Sequence, residues 1–144
     1  MSSSEKDEFY EGGFIPLPHP MIKHEAFRQL SEASIRVLLC CIRKTTNKKG
    51  TQRYNVIFKF TFVEAKKDWG LSDSTFQRAM KQLHTVGFID YWSPGALYND
   101  VTGKRGPRGY RLSRRWKRWK KNPDERKASG FEEHAEGYYV AISG

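Results

Sequence analysis

Between Ser72 and Gly87 the chain reads DSTFQRAMKQLHTV. Ser74, Thr75, Gln77, Arg78, Lys81 and Gln82 in this run carry hydroxyls, amides or positive charge. At helical spacing they share the face opposite Phe76, Ala79, Met80 and Leu83, which repeat at i, i+3, i+4 and i+7. Short hydroxyls, amides and an arginine suit one chemistry well: hydrogen bonds to base edges in the major groove and to phosphate oxygens. A helix that meets only water more commonly carries Glu and Lys at salt-bridging spacing. Asp73 departs from the pattern. At the groove-facing end it either favours the positive helix terminus or accepts from a cytosine amine.

Other chemistries find less support in the residues. His19, His24, His84 and His134 have no metal-ligand spacing with one another or with Cys40 and Cys41, so no metal site is expected. The two cysteines are adjacent in an apolar run, which excludes a disulfide framework and suits a reducing cytoplasm. NKKGT imitates only the end of a phosphate-binding loop, so no nucleotide cofactor is expected. No nucleophile, base and acid can be nominated together, and the expectation is a protein without catalytic residues. No apolar run approaches the ~20 residues that cross a bilayer, and MSSSEKDEFYEGG is too polar for a secretory signal.

The elements that must position the polar face follow from pattern. Ser31 is placed to cap a helix, and Ile35, Leu38, Leu39 and Ile42 give it a wide apolar side, with a shorter turn at HEAFRQL before it. TTNKKGTQRY reads as an exposed loop, and NVIFKF as a short strand with Phe58 and Phe60 alternating against Ile57 and Lys59. Thr61 and Glu64 form the T-x-x-E capping box of a two-turn helix that Gly70 ends in a left-handed conformation. Leu71 then plugs a three-residue turn, and Ser72 caps the helix described above. FIDYW and GYRLS read as strands with Ile89, Tyr110 and Leu112 facing inward. The segment between them is a long hairpin loop with Lys104, Arg105 and Arg108 on its returning side. Prolines 16, 18 and 20 favour an extended arm at the start.

Charge supports a polyanionic partner. The chain has 26 Lys+Arg against 16 Asp+Glu, for a net +10. Residues 94–121 hold ten bases and one acid, whereas the first 20 residues and the last 23 are each acidic. In SRRWKRWKK, Ser113 is placed to cap a short helix whose Trp116 and Trp119 anchor on the core, leaving Arg114, Arg115 and Arg118 as phosphate contacts. An amphipathic membrane-surface peptide is the weaker reading of that segment.

The residues AFRQLSEASIRVLLCCIRK, FKFTFVEAKKDWGLSDSTFQRAMKQLHTVGFI and GPRGYRLS together resemble a winged helix-turn-helix domain of the kind found in phage and plasmid replication proteins and in transcription regulators. The resemblance covers about residues 24–113 and implies an α+β, mainly α, fold. A three-helix core would carry a small antiparallel sheet with a wing and a short basic C-terminal helix. The expected organisation is an extended or disordered arm over 1–20, the domain over 21–121, and an acidic tail over 122–144 that is either disordered or pairs Tyr138 to Ile142 with a partner strand. The implied partner is double-stranded DNA. Ser74, Thr75, Gln77, Arg78 and Lys81 would sit in the major groove; Lys104, Arg105, Arg108 and Arg111 would serve the wing and the backbone; Arg114, Arg115 and Arg118 would extend the contact. Replication initiation is the first expectation, transcription regulation the second, and a winged-helix module that binds protein the third. Neither a small-molecule ligand nor a membrane partner is expected, and the location is cytoplasmic, at the nucleoid. A homodimer stays open, with the arm and the tail as the elements to build it.

Overall fold

The computed structural model describes residues 14–46, 54, 56–92, 98–99, 104–105 and 109–133. It is mainly helical with small antiparallel sheets: α1 (His19–Lys23), α2 (Glu25–Arg28), α3 (Glu32–Thr45), α4 (Phe62–Trp69), α5 (Asp73–Val86), β1 (Ile89–Trp92), β2 (Tyr98–Asn99), β3 (Lys104–Arg105), β4 (Gly109–Leu112), a 3-10 turn (Arg115–Arg118) and α6 (Pro123–Ala128).

The helices begin and end where local chemistry dictates. Ser31 Oγ accepts from the Ser34 amide at 3.1 Å and starts α3. Val37, Leu38, Cys40, Cys41 and Ile42 are buried along it, while Ile35 is only partly buried, so the apolar side is centred a little off the expected stripe. Thr45 is buried too, and its hydroxyl is satisfied within the helix by the Ile42 carbonyl at 3.0 Å. Burial pushes the Cys40 thiol up to about 11 and the Cys41 thiol further still, so neither offers a thiolate at neutral pH.

α3 packs chiefly against α5. Leu71 is buried in the turn that joins α4 to α5, and Gly70 makes that turn with φ of 68°. The capping box at α4 is only half formed. Thr61 Oγ1 accepts from the Glu64 amide at 3.2 Å, but the Glu64 carboxylate turns to Lys44 of α3 and ties the two helices together.

β1 and β4 pair antiparallel in the register Ile89↔Leu112, Asp90↔Arg111, Tyr91↔Tyr110 and Trp92↔Gly109. The expected strand before α4 is reduced to one bridge: Phe58 and Tyr110 exchange two 2.8 Å backbone hydrogen bonds. Phe58 and Phe60 are buried and Ile57 and Lys59 exposed, as alternation requires. Phe60 meets Phe76 of α5 edge-on at 5.0 Å. Ile89 and Leu112 face the core, with Tyr110 half-buried beside them.

The described parts of both ends contact the body of the fold. Ile15 and Leu17 pack on the core, and Pro20 lies inside the first turn of α1, where a missing N–H costs nothing because that group has no helical partner. Within the segment expected as an acidic tail, Asn122 Oδ1 caps α6 by accepting from the Asp124 and Glu125 amides, with Pro123 as its first residue. Phe131 packs back on the core. The loop 47–53, the apolar end at 138–142 and the first 13 residues lie outside the described residues.

Gly87 is where the C-terminal segment is fastened to α5. It ends the helix with φ of 100°, and its carbonyl accepts from the Trp116 amide at 3.1 Å. A Cβ there would stand 2.6 Å from Trp116 N and 2.9 Å from Arg115 C, both backbone atoms that move only with the whole 3-10 turn. At Gly70 a Cβ would meet nothing within 4 Å. Gly70→Ala is therefore expected to cost only the left-handed penalty of about 1–2 kcal/mol. Gly87→Ala should cost about 1–3 kcal/mol more, because overpacking is added to that penalty. Urea denaturation of the two variants in parallel measures the difference.

Candidate nucleic-acid interface

α5 is held so that one side must point outward. Phe76, Ala79, Met80 and Leu83 are buried, whereas Ser74, Gln77, Arg78 and Lys81 are exposed. The start of the helix is fixed by Ser72, whose Oγ accepts from the Thr75 amide at 3.3 Å and donates to the Thr75 hydroxyl at 2.8 Å. Thr75 is thus half-buried and engaged at the cap. Asp73 lies in the first turn, where its charge favours the positive helix end. Gln77 Nε2 leans toward Asp73 Oδ1 at 3.4 Å, and Arg78 Nε toward the Ser74 carbonyl at 3.4 Å. Both contacts are long and within one turn, so a stronger acceptor can displace them.

Gln82 does not belong with this group. Its Oε1 accepts from the Ser31 amide at 3.0 Å, and its Nε2 donates to the Gln29 carbonyl at 3.2 Å. It braces the turn between α2 and α3 against α5. An open groove of about 410 Å³ runs beside it, lined by Ser31, Ala33, Thr75, Arg78, Ala79 and Gln82. The start of α3 therefore flanks the exposed face of α5. No pattern in the sequence announces that neighbour, because it depends on how two distant segments cross.

The basic residues after α5 divide into distinct roles. Lys104 and Arg105 lie on β3, in backbone register with Asn99 and Tyr98 of β2, while Arg108 falls outside the described residues. Arg111 is half-buried on β4, and its Nε stands 3.8 Å from Asp90 Oδ2, so part of its charge is answered within the protein. Arg114 is exposed, with its guanidinium 3.9 Å from the centre of the Tyr54 ring. Arg118 is also exposed.

Arg115 corrects the expectation of a phosphate contact. It is buried, and its guanidinium makes five hydrogen bonds. Nε donates to Asp90 Oδ1 at 2.8 Å, Nη1 to the Glu132 and Glu133 carbonyls, and Nη2 to the His84 and Ile89 carbonyls. An arginine has five N–H donors, and all five are engaged. Arg115 is a clasp joining the end of α5, β1 and the segment after α6. Trp116 and Trp119 are buried as expected, the former stacked on Phe88 with ring centres 5.6 Å apart and the latter under Arg126 at 4.6 Å.

Among the described residues, no cluster of His, Cys, Asp and Glu is arranged to hold a metal ion, and no helix is long and apolar enough to cross a membrane. No protein family, curated protein or solved structure matches the chain.

Proposed function

We propose that the chain is a winged helix-turn-helix domain that binds double-stranded DNA, with α5 in the major groove and the β2–β3 hairpin as its wing. The observation that carries this reading is the exposure of Ser74, Gln77, Arg78 and Lys81 along one face of a helix whose other face is fully buried. A helix anchored by five core residues and capped at both ends presents these groups from a fixed backbone, which base-edge recognition requires. The element order also supports the reading: α3, the Phe58 bridge, α4, α5, then a hairpin that returns through β4. By its resemblance to phage and plasmid replication proteins, the domain would act in replication initiation rather than as a ligand-gated regulator.

The test is duplex binding as a function of salt, followed by selection of bound sequences from random duplex DNA. If six to eight bases meet phosphates, affinity should fall about 10³-fold or more between 50 and 200 mM salt. A recovered motif would show specificity, and its symmetry would report the oligomeric state. A binding curve flat in salt overturns the proposal.

A further inference from the structure

The basic 3-10 turn does not simply lengthen the contact made by α5. In a strand, neighbouring residues face opposite sides of the sheet. Tyr91 stacks on His84 of α5 with ring centres 4.1 Å apart, which places the Tyr91–Tyr110 pair on the α5 side. Asp90 and Arg111, one step along, therefore lie on the far side. That side holds an open cleft of about 400 Å³, whose lining includes Tyr54, Arg111, Arg114, Lys117, Arg118 and Glu132. It shares no lining residue with the groove beside α5.

The cleft is charged for an anion. Arg115 and Asp90 also line it, but they neutralise each other at 2.8 Å. What remains is Arg114, Lys117 and Arg118 against Glu132, with Arg111 already partly answered by Asp90. Arg114, Lys117 and Arg118 are exposed, and the Tyr54 ring beneath Arg114 fixes the plane of its guanidinium by cation–π attraction. Planar guanidinium forks in fixed orientation match phosphate oxygens two at a time. An open cleft lined by several cations suits a run of phosphodiesters better than a single small anion.

We infer that this cleft is a second binding site for the phosphate backbone of duplex DNA, so that one chain holds two duplex segments, one on α5 and one across the sheet. The inference rests on the DNA-binding reading of α5, and the experiment separates the two. A duplex of mixed sequence, about three helical turns long at roughly 10 base pairs per turn, is fixed to beads and loaded with protein at low salt. A fluorescent duplex of the same length is then added after washing. The wild-type chain should retain the second duplex. Arg114→Glu/Arg118→Glu should load on the first duplex within about twofold of wild type yet retain at least about tenfold less of the second, since the loss of phosphate contacts acts on that site alone. Arg78→Glu/Lys81→Glu should load at least about tenfold less on the first, keeping only what the cleft holds by itself.

If the wild-type chain loads but captures no second duplex, the cleft inference is wrong and the reading of α5 stands. Capture undiminished in Arg114→Glu/Arg118→Glu, as a bridging dimer would give, also overturns the inference. If Arg78→Glu/Lys81→Glu loads normally while the cleft variant does not, α5 is not a contact, the cleft is the primary site, and the inference of two duplex segments is overturned. Displacement of the second duplex by millimolar nucleoside triphosphate would assign the cleft to a free nucleotide and overturn the duplex site. Should the charge reversals disturb folding, as tryptophan fluorescence would show, Arg114→Gln/Arg118→Gln gives the same readout with smaller steps.

Discussion

Arg115→Met is expected to destabilise the fold by about 3–5 kcal/mol, a large share of the 5–15 kcal/mol typical of a native domain. The reason lies in what the substitution leaves behind. Asp90 is only 3 % exposed and its carboxylate loses its 2.8 Å partner, keeping Arg111 at 3.8 Å. A buried charge without close compensation costs more than the pair contributed. The His84 and Ile89 carbonyls lose donors as well. Arg115→Lys should recover only part of the loss, because an ammonium has three donors and no planar fork to reach five acceptors in three directions. Asp90→Asn combined with Arg115→Met should be less damaging than Arg115→Met alone, since the uncompensated charge is gone. Urea denaturation of the set, followed by tryptophan fluorescence, reads these differences. Additive behaviour of the two substitutions would show that Asp90 and Arg115 are not coupled. Limited proteolysis should cut the Arg115→Met chain after α6 sooner than the wild type, because the Glu132 and Glu133 carbonyls are held by the same guanidinium.

Arg115 also shows where a sequence stops being legible. In SRRWKRWKK every cation looks alike, and spacing of the tryptophans told which side faces the core but not which arginine follows them in. The partner is Asp90, 25 positions earlier in a strand, and only the register Asp90↔Arg111 brings that carboxylate to the face the 3-10 turn covers. Local signals fared better. Ser31, Thr61 and Ser72 each accept the amide three residues on, and Gly70 and Gly87 take positive φ, because caps and left-handed termini depend on neighbours within one turn. The alternation at Phe58 and Phe60 was readable for the same reason. Glu64 has the spacing of the reciprocal half of a capping box, but Lys44, on another helix, offers it a charge instead of an amide. Pro20 counts by residue type toward an extended arm, yet it sits in the first turn of α1, where proline is tolerated.

The same distinction sorts the polar face of α5. From spacing alone Gln82 is indistinguishable from Gln77, since both lie on the outward side of the helix. The structure separates them: among the described residues Gln77 reaches only Asp73 on its own helix, whereas Gln82 holds Ser31 and Gln29 from elements about fifty residues away in the chain. Two amides of one helix thus serve different ends, one available to a partner and one committed to the fold.

That separation makes the second large effect testable without ambiguity. Arg78→Ala/Lys81→Ala is expected to weaken duplex binding by about 10²-fold or more, as each well-placed contact to a base or phosphate is worth about 1–3 kcal/mol. The salt slope should fall by about one for each of the two that meets a phosphate. Stability should barely change, because both side chains are exposed and alanine favours the helix. Gln82→Ala should do the reverse. It removes two hydrogen bonds that fix α5 to the α2–α3 turn, so denaturation should come at lower urea, while DNA affinity measured well below that midpoint should hold within a few-fold. If the alanine pair at 78 and 81 binds duplex DNA as tightly as the wild type, with the same salt slope, then α5 is an ordinary surface helix. In that case any affinity for DNA must come from the cations across the sheet.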